Sequence, residues 1–171
     1  MVTPQHEESV SILLVEADPE IAASIAHVLQ ESNYQTTIAS NGADALALAQ
    51  QESFSLVLAD LALPGEADSY QLCQRLKSHW PLLPVMLFNG QGQVQDTLRG
   101  LDVGADDYVA QPFSTGELPA RVRVVLRTYE TQKLLARYSA RLHDVSKIGQ
   151  AITSILDLDS LLWKAISLSL E

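Results

Sequence analysis

The run SLVLAD (55–60) carries an aspartate to the end of an apolar stretch, and Pro64 and Gly65 turn the chain just beyond it. A carboxylate so placed can cap a turn. If other reactive groups reach it, it can also act as a nucleophile toward a phosphoryl donor and become an aspartyl phosphate. That second chemistry gathers negative charge and needs a divalent cation; Mg²⁺ is commonly held by one or two carboxylates with several waters retained. The transfer itself is mostly positioning and charge stabilisation. Other reactive residues offer less. Cys73 is the sole cysteine, and its spacing with Leu72 and Leu76 marks a small core residue rather than a reactive thiol. His6, His27, His79 and His143 show no metal-ligand spacing with one another or with Cys73, so no structural metal is expected. Gly90 and Gly92 in NGQG lack the lysine of a phosphate loop and read as a flexible loop.

The elements that must position Asp60 follow from periodicity. VSILLV (10–15) is a short apolar run of the kind a strand covered on both faces requires. Asp18 and Pro19 read as an N-cap and first helical residue, with Ile21, Ile25, Val28 and Leu29 at helical spacing behind them. YQTTIA (34–39) reads as a second strand and NGADALALAQQ (41–51) as a second helix. After the strand that ends at Asp60 come a helix near 70–79, a strand LPVMLF (83–88) and a helix VQDTLRGLDVG (94–104) closed by Gly104. A short strand YVA (108–110) follows, and STGE (114–117) has the form of a capping box opening a last helix. Five alternations of strand and helix predict a parallel sheet with helices on both faces. The site of such a sheet lies beyond the carboxyl ends of its strands. Those ends present Glu16, Ala17 and Asp18, then Asp60, then Asn89 and Gly90, then Gln111 and Pro112. Asp60 is expected to be exposed there, beside Glu16.

Four segments, ILLVEADPEI, SLVLADLALPG, PVMLFNG and GADDYVAQPF, together resemble the receiver domain of bacterial two-component response regulators over residues of about 10–128. The resemblance implies a flavodoxin-like α/β fold, a (βα)5 three-layer sandwich around a five-stranded parallel sheet. It places the phosphorylated aspartate on Asp60 and the first acid of the metal pair on Glu16. The metal-binding backbone carbonyl falls on Ala62, the switch hydroxyl on Asn89, the switch aromatic on Tyr108, the phosphate-binding lysine on Gln111 and the cis-proline on Pro112. It also implies Mg²⁺ as cofactor and a histidine kinase or phosphotransfer protein as partner.

The departures gather at the chemistry. Ala17 stands where the second metal-side acid is usual, Gln111 replaces the lysine, and Asn89 is not a small hydroxyl. Mg²⁺ binding is therefore expected to be weak or lost. Asp18 is an alternative source of the missing acid, although its place before Pro19 favours a cap. Tyr108 reads equally as a half-buried strand aromatic. The turn GEADSY (65–70) is one residue longer than the usual form, with Ser69 in place of glycine.

Beyond the receiver-like segment, Leu135, Leu142, Gly149 and Leu156 recur every seven residues, with Tyr138, Val145 and Ile152 three further on. This a/d seam predicts a two-stranded coiled coil over 129–157 and hence a homodimer; the alternative is an amphipathic helix folded back on the first domain. ITSILDLDSLLWKAI (152–166) resembles the connecting helix that precedes a GAF domain, and residues 158–171 are expected to begin a GAF-like domain, so the chain is expected to be part of a longer protein. RLHDVSKIG (141–149) resembles a kinase phospho-accepting helix only in part, and His143 reads as a solvated helix residue. Residues 1–9 are polar and expected to be flexible.

A net formal charge of −10, with 47% hydrophobic residues among 171, fits a soluble globular chain and disfavours direct contact with nucleic acid or anionic membrane. The start has no signal-peptide pattern and no run could span a bilayer, so a cytoplasmic location and no membrane insertion are expected. The functional expectation is a signal-input receiver rather than an enzyme, phosphorylated on Asp60 and signalling through its C-terminal helix. The alternative is a phosphorylation-independent pseudo-receiver acting as a dimerisation or protein-interaction module. A small flavin carrier has little support, because VEADPE offers no phosphate-cradling loop.

Overall fold

Successive side chains of a strand point to opposite faces of its sheet, so a strand covered on both sides must be apolar at every position. The computed structural model of the chain, which describes residues 10–64, 68–89, 100–114 and 116–168, shows this arrangement. Strands β1 (Ser11–Val15), β2 (Gln35–Ala39), β3 (Leu56–Asp60), β4 (Val85–Asn89) and β5 (Asp107–Ala110) form one parallel sheet in the order β2-β1-β3-β4-β5. Helices α1 (Pro19–Glu31), α2 (Gly42–Gln51), α3 (Ser69–His79) and α4 (Glu117–Leu168) connect and follow the strands. Leu13, Val15, Val57, Ala59, Val85 and Leu87 pack on one face with α2 and α3. Ile12, Leu14, Leu56, Leu58, Met86 and Phe88 pack on the other with α1 and the start of α4. Each such fully buried side chain is worth roughly 1.5–3 kcal/mol relative to exposure. The expected flavodoxin-like sandwich is thus present.

Three local features refine the sequence reading. Residues 1–9, the glycine loop at 90–92 and most of the helix expected at 94–104 lie outside the described residues. The final turn of that stretch is helical at 100–102, and Gly104 closes it at φ 100°, a left-handed conformation that glycine adopts without strain. The capping box at 114–117 does not form as expected. Glu117 is the first residue of α4, the Gly116 carbonyl accepts from Ala120 N–H at 3.3 Å, and the Glu117 carboxylate reaches forward to Arg121 Nε at 3.2 Å instead of back. Burial pushes the Cys73 thiol up to about 11, so at neutral pH it is a protonated, fully buried core group, as its spacing indicates.

The chain divides into two units, Met1–Glu130 and Thr131–Glu171, and α4 contributes residues to both. In the second unit Leu134, Leu135, Tyr138 and Leu142 stand exposed on the helix, as does His143. The seam residues Val145, Gly149, Ile152 and Leu156 have side chains outside the described set.

At the amino-terminal edge of the sheet, a polar cluster ties three elements of the first unit. Asp106 Oδ2 accepts from Lys77 Nζ on α3 and from Val85 N–H at 2.8 Å, and Asp106 Oδ1 accepts from the Tyr129 hydroxyl on α4. Lys77 Nζ also donates to the Tyr129 oxygen at 2.6 Å and lies 4.8 Å from its ring centre. Burial, reinforced by Asp106, pushes the Tyr129 phenol up, so it remains a donor. Removing Asp106 strands a part-buried ammonium and a backbone N–H together. Asp106→Ala is expected to lower stability by about 2–4 kcal/mol in urea unfolding. Arg121→Ala, which breaks the more exposed pair with Asp107 at 3.3 Å, should cost less than about 1 kcal/mol. Equal losses in the two variants would contradict this ranking.

Candidate functional site

The strand order reverses direction between β1 and β3, so the chain leaves the sheet toward opposite faces at these two neighbours and opens a crevice at their carboxyl ends. Glu16 follows β1 and Asp60 ends β3, one on each side of that crevice. Glu16 is buried at 5% exposure; its N–H donates to the Ala39 carbonyl at 2.9 Å, and its Oε1 accepts from Asp18 N–H at 2.8 Å. Asp60 is half-buried rather than exposed, because it is still part of β3 and pairs with Phe88 of β4. The N–H groups of Ala62 and Leu61 lie toward its carboxylate and favour its charge, while the Leu61 N–H donates to the Phe88 carbonyl at 2.8 Å.

Electrostatics at this pair run against ionisation. Burial raises the Asp60 carboxyl above its ordinary value, partly offset by the Ala62 and Leu61 N–H groups. Burial likewise raises Glu16, opposed by the Asp18 N–H and assisted by the negative charge of Asp60. Two desolvated carboxylates that repel one another are a donor set suited to a hard divalent cation, which takes oxygen ligands and retains waters. The Glu16 and Asp60 carboxylates therefore fit Mg²⁺. Among the described residues no three His, Cys, Asp or Glu side chains group closely enough to hold a metal by themselves. Asp18 explains why: its Oδ1 caps α1, accepting from Glu20 N–H at 2.8 Å and Ile21 N–H at 3.2 Å, with Pro19 opening the helix.

The remaining residues picked out from the sequence stand along the same edge. Asn89 ends β4 half-buried, and its carbonyl accepts from Gln111 N–H at 2.8 Å. Tyr108 lies in β5 opposite Leu87, its ring against the α3-side core and its buried hydroxyl without a hydrogen-bond partner among the described residues. The Gln111–Pro112 peptide is cis. Lys77 is held by Asp106 and Tyr129 at the opposite end of the sheet.

Two features escaped the sequence reading. Ile21 and Val28, spaced like core residues, are not fully covered. With Ile25, Gln111, Pro112 and Phe113 they line an open groove of about 530 Å³ between α1 and the segment after β5. The signal was present in an apolar face of α1 wider than its share of the sheet. The second is Ser69, which is fully buried and whose hydroxyl donates to the Asp60 main-chain carbonyl. Its only sequence signal was its appearance where glycine is usual.

The sequence model described as "Response regulator receiver domain" matches residues 12–123. Among curated proteins, the DNA-binding dual master transcriptional regulator RpaA of Synechocystis is 36% identical over 130 residues, spanning 75% of this chain and 54% of that protein. The transcriptional regulatory protein BaeR of Escherichia coli is 33% identical over 137 residues, spanning 80% of this chain and 56% of that protein. The chain thus spans about half the length of the curated relatives it matches. Among solved structures, a CheY-like response regulator receiver domain protein of Methanospirillum hungatei superposes at a TM-score of 0.67 with 25% identity, covering 72% of this chain and 98% of that one. The signal receiver domain of a histidine kinase from Syntrophus aciditrophicus gives 0.64 with 32% identity, covering 70% and 91%.

The distinct roles of Asp18 and Glu16 can be separated. Asp18→Ala should lose the cap, about 1 kcal/mol in urea unfolding, and leave Mg²⁺ affinity by calorimetry within about twofold, since no oxygen of the metal set is removed. Glu16→Gln should weaken Mg²⁺ at least about tenfold while stabilising the metal-free fold at neutral pH. The sign follows from the raised Glu16 value. Its protonated form is the one the fold favours, so its contribution is full at acidic pH and is lost as pH rises through the raised value. A large loss of Mg²⁺ affinity in Asp18→Ala would assign that side chain to the metal instead.

Proposed function

The chain belongs to the response regulator receiver family, and from that premise we propose that it accepts a phosphoryl group on Asp60 from a histidine kinase or phosphotransfer protein. The observation that carries this reading is the half-buried Asp60 carboxylate at the carboxyl end of the central strand, facing the buried Glu16. An Asp60 carboxylate oxygen attacks the phosphorus of an N-phosphohistidine and the P–N bond breaks. Its electron pair stays on the imidazole nitrogen, which takes up a proton, and an aspartyl phosphate is left on the chain. Glu16, Asp60 and the Ala62 carbonyl would hold Mg²⁺, which would neutralise the charge gathered there. The Leu61 and Ala62 N–H groups aim the nucleophile. Gln111 offers an uncharged amide where a cation would strengthen the hold on phosphate, and Ala17 offers no oxygen. The groove beside Gln111 supports the donor protein's approach from the α1 side.

Mg²⁺ binding and transfer are accordingly weak and slow in this chain. Each missing charge-assisted contact is worth about 1.5–3 kcal/mol, or one to two powers of ten in rate. Ala17→Asp combined with Gln111→Lys should raise Asp60 labelling by acetyl phosphate and Mg²⁺ at least about tenfold by intact mass, and Asp60→Asn should abolish it in both backgrounds. A parent chain that labels as fast as the double variant would overturn the depleted-site reading.

The output is proposed to run through α4. Leu135, Tyr138 and Leu142 are exposed on a seven-residue repeat, an arrangement a second helix would cover. We assign residues 129–157 to a two-stranded coiled coil and residues 158–171 to the start of a GAF-like domain. Light scattering at micromolar concentration should give a dimer for the parent and a monomer for Leu135→Glu with Leu142→Glu. A monomeric parent would contradict the seam.

A further inference from the structure

Apart from tyrosine hydroxyls, the buried polar side chains among the described residues are Glu16 and Ser69, and both adjoin Asp60. A hydroxyl taken out of water is costly unless it is hydrogen-bonded. That of Ser69 donates to the main-chain carbonyl of Asp60. Ser69 is itself firmly held. It is the first residue of α3, whose cap Asp68 accepts from Gln71 N–H at 2.8 Å through Oδ1 and from Leu72 N–H at 2.9 Å through its carbonyl. Leu72, Cys73 and Leu76 then fix the helix into the core.

The carbonyl of Asp60 and the N–H of Leu61 belong to one planar peptide unit. Ser69 holds the carbonyl end of that plane, while the Leu61 N–H donates to the Phe88 carbonyl at 2.8 Å on β4. The same N–H also faces the Asp60 carboxylate. A plane clamped at both ends cannot rotate without breaking a buried bond, and its orientation keeps the Leu61 N–H turned toward the carboxylate. Resting on the reading of Asp60 as acceptor, we propose that Ser69 is a positioning residue, whose hydroxyl locks the Asp60–Leu61 peptide and so aims the nucleophile into the crevice.

The test is Ser69→Ala in the full chain, followed by two readings at a temperature where circular dichroism shows parent and variant equally folded. The Asp60 carbonyl ¹³C resonance should move upfield as its hydrogen bond is lost, and Asp60 labelling by acetyl phosphate should slow by about tenfold, the scale expected of a misaimed nucleophile. A merely structural serine would lower the melting temperature and leave the labelling rate of folded protein unchanged, which overturns the proposal. An unmoved carbonyl resonance overturns the lock itself. A parent chain that takes no label, with the resonance still displaced in the variant, sinks the acceptor reading and the reactive role of Ser69 with it.

Discussion

Two carboxylates held in a partly dehydrated crevice, Glu16 and Asp60, are the constraint on which the site depends. Burial lifts both above their ordinary values, and Asp60's charge adds to the rise at Glu16. Left to itself this pair destabilises the fold at neutral pH. The chain keeps it because the surrounding backbone is arranged around those oxygens: Asp18 N–H on Glu16, Leu61 and Ala62 N–H on Asp60, and the Ser69 hydroxyl on the Asp60 carbonyl.

The sheet makes that arrangement affordable. Its central strands are buried on both faces, so β1 and β3 end at fixed heights beside one another, with Val15 paired to Ala59 one residue before the two acids. The opposite edge is fastened separately by Asp106, Lys77 and Tyr129, which join β4, α3 and α4. Reactive groups and tethering groups are thus kept at different ends of the strands. Rearrangement of the carboxyl edge need not loosen the amino edge, where the first unit holds its last helical turns.

Much of the fold was legible because it rests on local periodicity. The alternation of Ile12 and Leu14 against Leu13 and Val15, the Asp18–Pro19 cap and the glycine at 104 each follow from rules that act over a few residues. Asp60 was legible from its place at the end of an apolar run. Contacts that depend on distant partners were not. Tyr129 meets Lys77 across 52 positions, and no pattern in either segment announces it. The exposure of Asp60 was misjudged because it still pairs with β4, a strand distant in sequence. Ser69 was visible only as an odd residue, since a serine at a helix start ordinarily caps; here Asp68 caps and Ser69 turns inward. The STGE box did not form because the helix opens at Glu117 itself rather than two residues earlier, and the Glu117 carboxylate meets Arg121 one turn ahead.

The most direct measurement of the central claim is a ¹³C-detected pH titration of the Asp60 and Glu16 carboxyl groups, with and without saturating Mg²⁺. The account predicts that without metal both titrate above their ordinary values of 3.8 and 4.5, and that Mg²⁺ moves both downward together. Either carboxyl titrating at or below its ordinary value without metal, or an Asp60 resonance that ignores Mg²⁺, would contradict it.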